Sequence, residues 1–300
     1  MSGEIAFTNT ALESFAALVT FVLLFACIAK IKMQRGIKHV TSKNAKRNTL
    51  DYILIIWLVI HMIVLTADVL SWTAMDFGKN EVWLLFMLNL TFTCLFLECM
   101  VYTYYVKETI YQHEMIGNTY VYLVMLSTVI AIILWITSDI SGKFYYLDTQ
   151  GNYTQGSMYW LCQFYCIIVM CGNIAILLKH RKALVRHDVL SLLMYGLIPI
   201  ASIPAQMLWK STTFNLATTL ALIYICISVH MAQYDRIVEQ EKLLIQQEHE
   251  LSMNQMQMMI AQIQPHFLYN SLTALAQLCS KDPKERRRQS LILRITGAII

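Results

Sequence analysis

One histidine in the C-terminal part of the chain is placed where it could do chemistry. His266 follows Pro265 in the segment Gln-Ile-Gln-Pro-His-Phe-Leu-Tyr-Asn-Ser-Leu, and Asn270 comes four residues after it. An imidazole that titrates near neutral pH can act as a phosphoryl acceptor. We expect Pro265 to kink or restart a helix, which puts His266 in the first turn and Asn270 on the same face. A core histidine with satisfied hydrogen bonds is the alternative.

Three ionisable residues lie inside long apolar runs. His61 and Asp68 share one run, and Glu98 lies in the next. A charged group at membrane depth costs about 2.5–3.5 kcal/mol on insertion scales, so such residues usually face other helices. At a rise of 1.5 Å per residue, His61 and Glu98 reach similar depths and could pair, while Asp68 lies on the same helical face as His61. They are candidate sensing residues for a ligand or a proton. A structural hydrogen-bond network is the alternative.

Composition indicates the elements that must hold these residues. The chain has 300 residues, 57% hydrophobic and only 14% charged, whereas about a quarter of a soluble domain is charged. Its apolar residues form runs near twenty residues, long enough to cross about 30 Å of hydrocarbon. We therefore exclude an ordinary soluble enzyme and predict an all-α membrane protein, with a seven-helix transmembrane sensor domain over residues 1–231. The runs are approximately Leu12–Ile31, Leu50–Leu70, Val82–Val106, Thr119–Thr137, Met158–Leu178, Val189–Leu208 and Thr212–Met231.

Basic residues predict the orientation of these runs. The loops after the first, third and fifth runs hold six, one and four lysines and arginines, while each of the other loops holds one. Because cytoplasmic loops are enriched in lysine and arginine, we expect an outside N-terminus and a cytoplasmic segment after Met231.

Local features add detail to the bundle. Lys143–Tyr153 predicts a short hairpin in an outer loop, either a lid over the bundle or a structural connection. Five of the six tryptophans fall near the outer ends of runs, which indicates an interfacial belt or the lining of a ligand cleft. Pro199 and Pro204 predict a kink or hinge in the sixth run.

The segment after the seventh run has a seven-residue repeat. Its apolar positions are Ile237, Leu244, Leu251 and Met258, and its companion positions are mostly polar. Such a pattern favours weak helix association. We predict a signalling helix over residues 232–261 that forms the stalk of a homodimer; a solvated amphipathic tail is the alternative.

Residues 262–285 resemble the phospho-acceptor box of LytS/YehU-type sensor histidine kinases, whose hallmark is Pro-His-Phe-Leu-Phe/Tyr-Asn. The seven-run array resembles the transmembrane sensor region of some of these kinases. The resemblance implies that His266 is the phosphorylated residue and that Asn270 belongs to its site. It also implies a bacterial plasma-membrane protein, with ATP and magnesium bound to a separate domain and the phosphoryl group passed to a response-regulator aspartate. The stimulus would be an unknown extracellular or membrane ligand.

The tail, residues 286–300, departs from that family pattern. The family continues into an amphipathic helix and an ATP-binding domain, and this sequence contains no Gly-rich phosphate loop. The residues Arg286–Thr296 are what codons for the expected helix encode when they are read one nucleotide later. We therefore expect a one-base slip near Arg286 and a truncated chain without its own ATP-binding domain. A surface basic patch is the alternative.

Two other functions fit seven apolar runs. A G-protein-coupled-type receptor is disfavoured because Tyr104–Glu108 does not form the acidic-Arg-Tyr box of such receptors. A small transporter, with His61 and Glu98 as coupling residues, has no need of a phospho-acceptor segment. We expect no cofactor or metal site in this chain and no nucleic-acid partner.

Overall fold

The computed structural model describes residues 3–35, 42–77, 81–111, 117–147, 153–209 and 213–281. It divides into a unit of residues 1–232 and a unit of residues 233–300. Within the described part, seven helices are long and apolar enough to cross a membrane, which confirms the predicted all-α membrane fold. The spans are Phe7–Lys32, Thr49–Ala74, Glu81–Tyr111, Thr119–Ser141, Tyr159–Lys179, Arg186–Gln206 and Thr213–Met231.

Helices dominate because hydrocarbon offers no hydrogen-bond partner to the backbone, and a helix satisfies its own N–H and C=O groups. Most helices extend beyond their apolar spans. The elements in chain order are α1 (Gly3–Arg35), α2 (Ser42–Phe77), α3 (Glu81–Tyr111), α4 (Thr119–Ile136), the one-turn α5 (Ser138–Ser141), β1 (Tyr145–Leu147), β2 (Tyr153–Gln155), α6 (Tyr159–Lys179), α7 (Arg186–Trp209) and α8 (Thr213–Lys281).

Helices α2 and α3 form the centre of the first unit. Helix α2 packs against α1 and α3, and α3 also packs against α4 and α6. Trp57 of α2 is fully buried, with its ring centroid 5.7 Å from Tyr102 and 4.5 Å from Tyr195. The Tyr102 hydroxyl donates to the carbonyl oxygen of Leu192 at 2.8 Å. These contacts tie α7 to the centre of the bundle.

Strands β1 and β2 form the predicted hairpin. They pair antiparallel, with Tyr145 opposite Gln155 and Leu147 opposite Tyr153. The buried Tyr145 hydroxyl donates to Asn89 Oδ1 at 2.7 Å and also contacts the Asp139 carboxylate. Burial and the hydrogen bond to Asp139 raise the pKa of Tyr145, so its hydroxyl stays protonated at neutral pH. The hairpin is thereby attached to α3 and α5.

The tryptophans do not behave as one belt. Trp83 and Trp160 are 45% and 51% exposed, as residues of an interfacial belt must be. Trp135 is fully buried, with its ring stacked on Phe92 at a centroid distance of 3.8 Å. Its assignment to the belt is therefore wrong, because the hairpin and the neighbouring aromatic rings cover it.

The prolines of α7 do not end the helix. Pro199 and Pro204 both lie inside it, and it runs without interruption from Arg186 to Trp209. A proline removes one backbone donor and weakens a helix locally. The predicted hinge at this position stays a prediction.

Candidate functional site

The predicted pair of ionisable residues exists in the membrane unit. His61 of α2 and Glu98 of α3 are 0% and 2% exposed, and His61 Nδ1 lies 2.8 Å from Glu98 Oε1. The pair links α2 to α3 by a polar contact inside apolar spans, where the low dielectric strengthens such a contact. The pairing that the sequence allowed is present.

The contact of the second His61 ring nitrogen indicates which atoms of this site carry protons. His61 Nε2 lies 2.8 Å from the hydroxyl oxygen of Thr219 in α8. That hydroxyl donates its single proton to the carbonyl of Asn215 at 2.7 Å, so it accepts from His61 and Nε2 carries a proton. His61 Nδ1 and Glu98 Oε1 can form a hydrogen bond only if one of the two atoms carries a proton, because two bare acceptors repel each other. That proton lies either on His61 or on Glu98.

A second polar cluster lies on the same helices. The side-chain amide of Asn215 in α8 donates to Glu13 Oε1 of α1 at 3.0 Å and to Asp68 Oδ2 of α2 at 2.7 Å. The Ser71 hydroxyl donates to the backbone carbonyl of Asp68 at 2.8 Å and lies 3.3 Å from Asp68 Oδ1. Asp68 does not contact His61; the two are joined through Asn215 and Thr219. The three candidate sensing residues therefore belong to one network.

This network connects four helices. Glu13 comes from α1, His61 and Asp68 from α2, Glu98 from α3, and Asn215 with Thr219 from α8. Buried polar contacts between membrane helices are worth about 0.6 kcal/mol each on average, so the network sets which helices pair more than it sets total stability. A change in its protonation would alter the contacts of all four helices.

Sequence reasoning missed Glu13, Asn215 and Thr219. Glu13 lies at the edge of the first predicted run, Leu12–Ile31. The span in the structure begins earlier, at Phe7, and Glu13 is fully buried. The signal was a lone carboxylate two turns inside an apolar helix. Asn215 and Thr219 are one turn apart on α8, and their i,i+4 spacing was a signal for one polar face.

The second unit contains the helix that was predicted to transmit a signal. The apolar positions of the seven-residue repeat are all exposed, with Ile237 and Leu251 at 59% and Leu244 and Met258 at 58%. The repeat therefore forms a line of apolar side chains along α8 that no described residue covers. Phe267, in the segment of His266, is 71% exposed.

The backbone of the histidine segment differs from the prediction. Helix α8 extends from Thr213 to Lys281, so Pro265 does not restart it and His266 lies in its interior, not in its first turn. Pro265 removes one backbone N–H donor, and the backbone hydrogen bonds of the helix on both sides of it outweigh that loss. His266 and Asn270 are still one turn apart on the backbone, and Asn270 is exposed. The side chains of residues 262–266 lie outside the described part of the structure.

Comparison with known families is informative for this segment. Residues 254–296 match the family model described as Histidine kinase, and His266 and Asn270 both lie inside the match. The match supports a histidine kinase and is consistent with a membrane sensor region formed by the seven apolar helices. No curated protein matches the chain.

The matched region passes the point at which we predicted a break. It continues to residue 296 and so includes most of the tail after Glu285, which gives no support to a departure from the family at Arg286. Residues 282–300 lie outside the described structure.

Proposed function

We propose that this chain is the membrane sensor of a two-component system of the LytS/YehU type, phosphorylated on His266. The observation that carries the proposal is the histidine kinase match over residues 254–296, on the helix that follows six apolar spans and begins with the seventh. Neither a G-protein-coupled-type receptor nor a small transporter accounts for that match.

The phosphoryl transfer has a defined chemistry. A nitrogen of the His266 ring attacks the terminal phosphorus of ATP, a nitrogen–phosphorus bond forms, and the bond to ADP breaks while the ring gives up a proton. An aspartate of a response regulator then takes the phosphoryl group. ATP and magnesium are held by a histidine kinase ATP-binding domain. Catalysis of the transfer consists of positioning the reacting groups and stabilising the charge that develops. Asn270, one turn from His266, orients the ring or a phosphate oxygen.

Homodimer formation is part of the proposal. The exposed apolar positions Ile237, Leu244, Leu251 and Met258 recur every seven residues, the spacing that packs two helices side by side. A second copy of the same helix covers this line with like residues. The polar companion positions make the pairing weak enough to be adjusted by a signal.

Signal transmission has a covalent route. Asn215 and Thr219 of the buried network and His266 belong to one helix, α8. A stimulus that changes the network changes the packing of the membrane-spanning part of that helix. The proposed orientation, with the N-terminus outside, places the phospho-acceptor where ATP and regulators are found.

The test is phosphoryl transfer to the full chain in lipid vesicles from a separately purified histidine kinase ATP-binding domain with labelled ATP. Wild type should acquire acid-labile, alkali-stable label, as a phosphohistidine does, and His266→Gln should acquire none. The matched control is His249→Gln, which removes another exposed histidine from the same helix and should leave labelling unchanged. Label that survives His266→Gln, or that maps to His249, contradicts the proposal.

A further inference from the structure

The membrane unit contains a second pair of acidic residues, separate from the pair of His61 and Glu98. Glu13 of α1 is fully buried and Asp68 of α2 is partly buried. Both accept from the same nitrogen of Asn215. The distance between the two acceptor oxygens therefore cannot exceed the sum of the two hydrogen-bond lengths. The two carboxyl groups therefore lie close together, on one amide group of α8.

Among the described residues, one oxygen of the pair has no hydrogen-bond donor. Glu13 Oε2 is buried without a hydrogen-bond partner, and so is Asn9 Nδ2, one turn before it on α1. Among the described residues, no lysine, arginine or histidine lies within ion-pair distance of Glu13 or Asp68. A buried oxygen without a donor costs about 1–3 kcal/mol if it stays unmet. A neutral carboxyl group costs less to bury at such a position than a carboxylate does.

Full ionisation of the pair is physically unfavourable. It would place two negative charges in contact inside a membrane span, where one already costs about 2.5–3.5 kcal/mol, and like charges at such separation do not ionise together. Among the described residues, the groups that act on Asp68 include Asn215 from α8 and Ser71 and Trp72 from α2, all of them neutral. His61, the next titratable group on α2, is already bonded to Glu98 and Thr219.

We propose that Glu13 and Asp68 form a proton-binding site that shares one proton between their carboxyl groups and holds α1, α2 and α8 together. The ligand class is the proton itself. Loss of that proton leaves one negative charge on Glu13 of α1 and one on Asp68 of α2, and these charges repel each other. The side-chain amide of Asn215 in α8 is then the shared donor to both carboxylates. The site thereby makes helix packing in the membrane unit depend on proton occupancy.

The position of the site gives it access to one side of the membrane. Glu13 lies near the start of its span, Asp68 near the end of its span, and Asn215 in the first turn of its span. All three therefore lie near the same membrane surface. With an outside N-terminus, that surface is the external one, so the site exchanges protons with the external medium.

The test measures the proton directly and does not depend on phosphorylation, so its failure is distinct from a failure of the proposed function. The full chain in lipid nanodiscs is followed by infrared difference spectroscopy, in H₂O and D₂O, for the carbonyl stretch of a protonated carboxyl group. Wild type should show this band at neutral pH and lose it on alkaline titration. Glu13→Gln and Asp68→Asn should each lower the intensity of this band relative to wild type. The control Glu81→Gln, which changes an exposed acid of α3, should keep it.

A second measurement covers variants that fold poorly. If the folded pair binds one proton more than the unfolded chain, the folding equilibrium constant of wild type falls tenfold per pH unit above neutrality. Glu13→Gln, which keeps the shape of the protonated acid, should flatten this dependence. A wild-type protein without the band, a band that neither variant weakens, or a stability that rises with sodium at constant pH overturns the proposal. The last outcome would mean that a metal cation neutralises the pair.

Discussion

The ring of His61 bridges two helices that are far apart in sequence, with Glu98 of α3 at 2.8 Å on one side and Thr219 of α8 at 2.8 Å on the other. All three side chains are buried. Because each ring nitrogen has a fixed partner, the ring has one orientation, and removal of any partner leaves a buried polar group unmet.

The first prediction concerns the coupling of His61 and Glu98. His61→Ala and Glu98→Ala should each lower the free energy of unfolding by about 1–3 kcal/mol, because each leaves its partner unpaired. The double variant should cost less than the two single variants together, by about 0.5–3 kcal/mol. Thermal or chemical unfolding in detergent measures all three. Thr66→Ala, whose hydroxyl bonds only within α2, is the control, and strict additivity would contradict the pairing.

A second prediction isolates the bond between His61 and Thr219. Thr218 and Thr219 are both buried, and both donate to the carbonyl of Asn215, at 2.8 and 2.7 Å. Only Thr219 also contacts His61. Thr219→Val should therefore destabilise the protein more than Thr218→Val, by about 0.5–1.5 kcal/mol, the net worth of one hydrogen bond. Equal losses would show that the contact with His61 contributes nothing.

The third prediction concerns Asn270. Asn270→Ala should slow phosphorylation of His266 several-fold and leave membrane insertion unchanged, because the amide acts on the ring or the phosphate and not on the fold. Labelling rates with the separate ATP-binding domain measure the effect. Gln277→Ala, a change of another exposed amide on α8, is the control. Unchanged kinetics in Asn270→Ala would reduce the residue to a packing role.

The fourth prediction concerns orientation. Gln155 of β2 and Lys182, between α6 and α7, are both exposed, and the positive-inside rule places them on opposite sides. A membrane-impermeant thiol reagent added to intact cells should label Gln155→Cys and spare Lys182→Cys, with wild type as the background. The reverse pattern would contradict the signalling scheme, because it would place the phospho-acceptor outside.

The sequence alone was sufficient for the elements of the fold. Apolar runs near twenty residues predicted seven spans, because the thickness of hydrocarbon sets their length. The same reasoning placed His61 and Glu98 at similar depth, since depth follows from a constant rise per residue. The resemblance of the Pro-His-Phe-Leu-Tyr-Asn segment to a phospho-acceptor box predicted a histidine kinase, which the family match over residues 254–296 supports.

Only the tertiary structure decided which helices exchange polar contacts. That Asn215 donates to both Glu13 and Asp68 depends on how α1, α2 and α8 pack, and a polar residue in a span does not name its partner. The burial of Trp135 also depends on packing, because its ring is covered by Phe92 of α3 and by Tyr145 of the hairpin. The position of Trp135 near the end of a run does not name these neighbours. The course of α8 through Pro265 was also decided there, since the penalty of one proline is local whereas the stability of a helix is summed over its length.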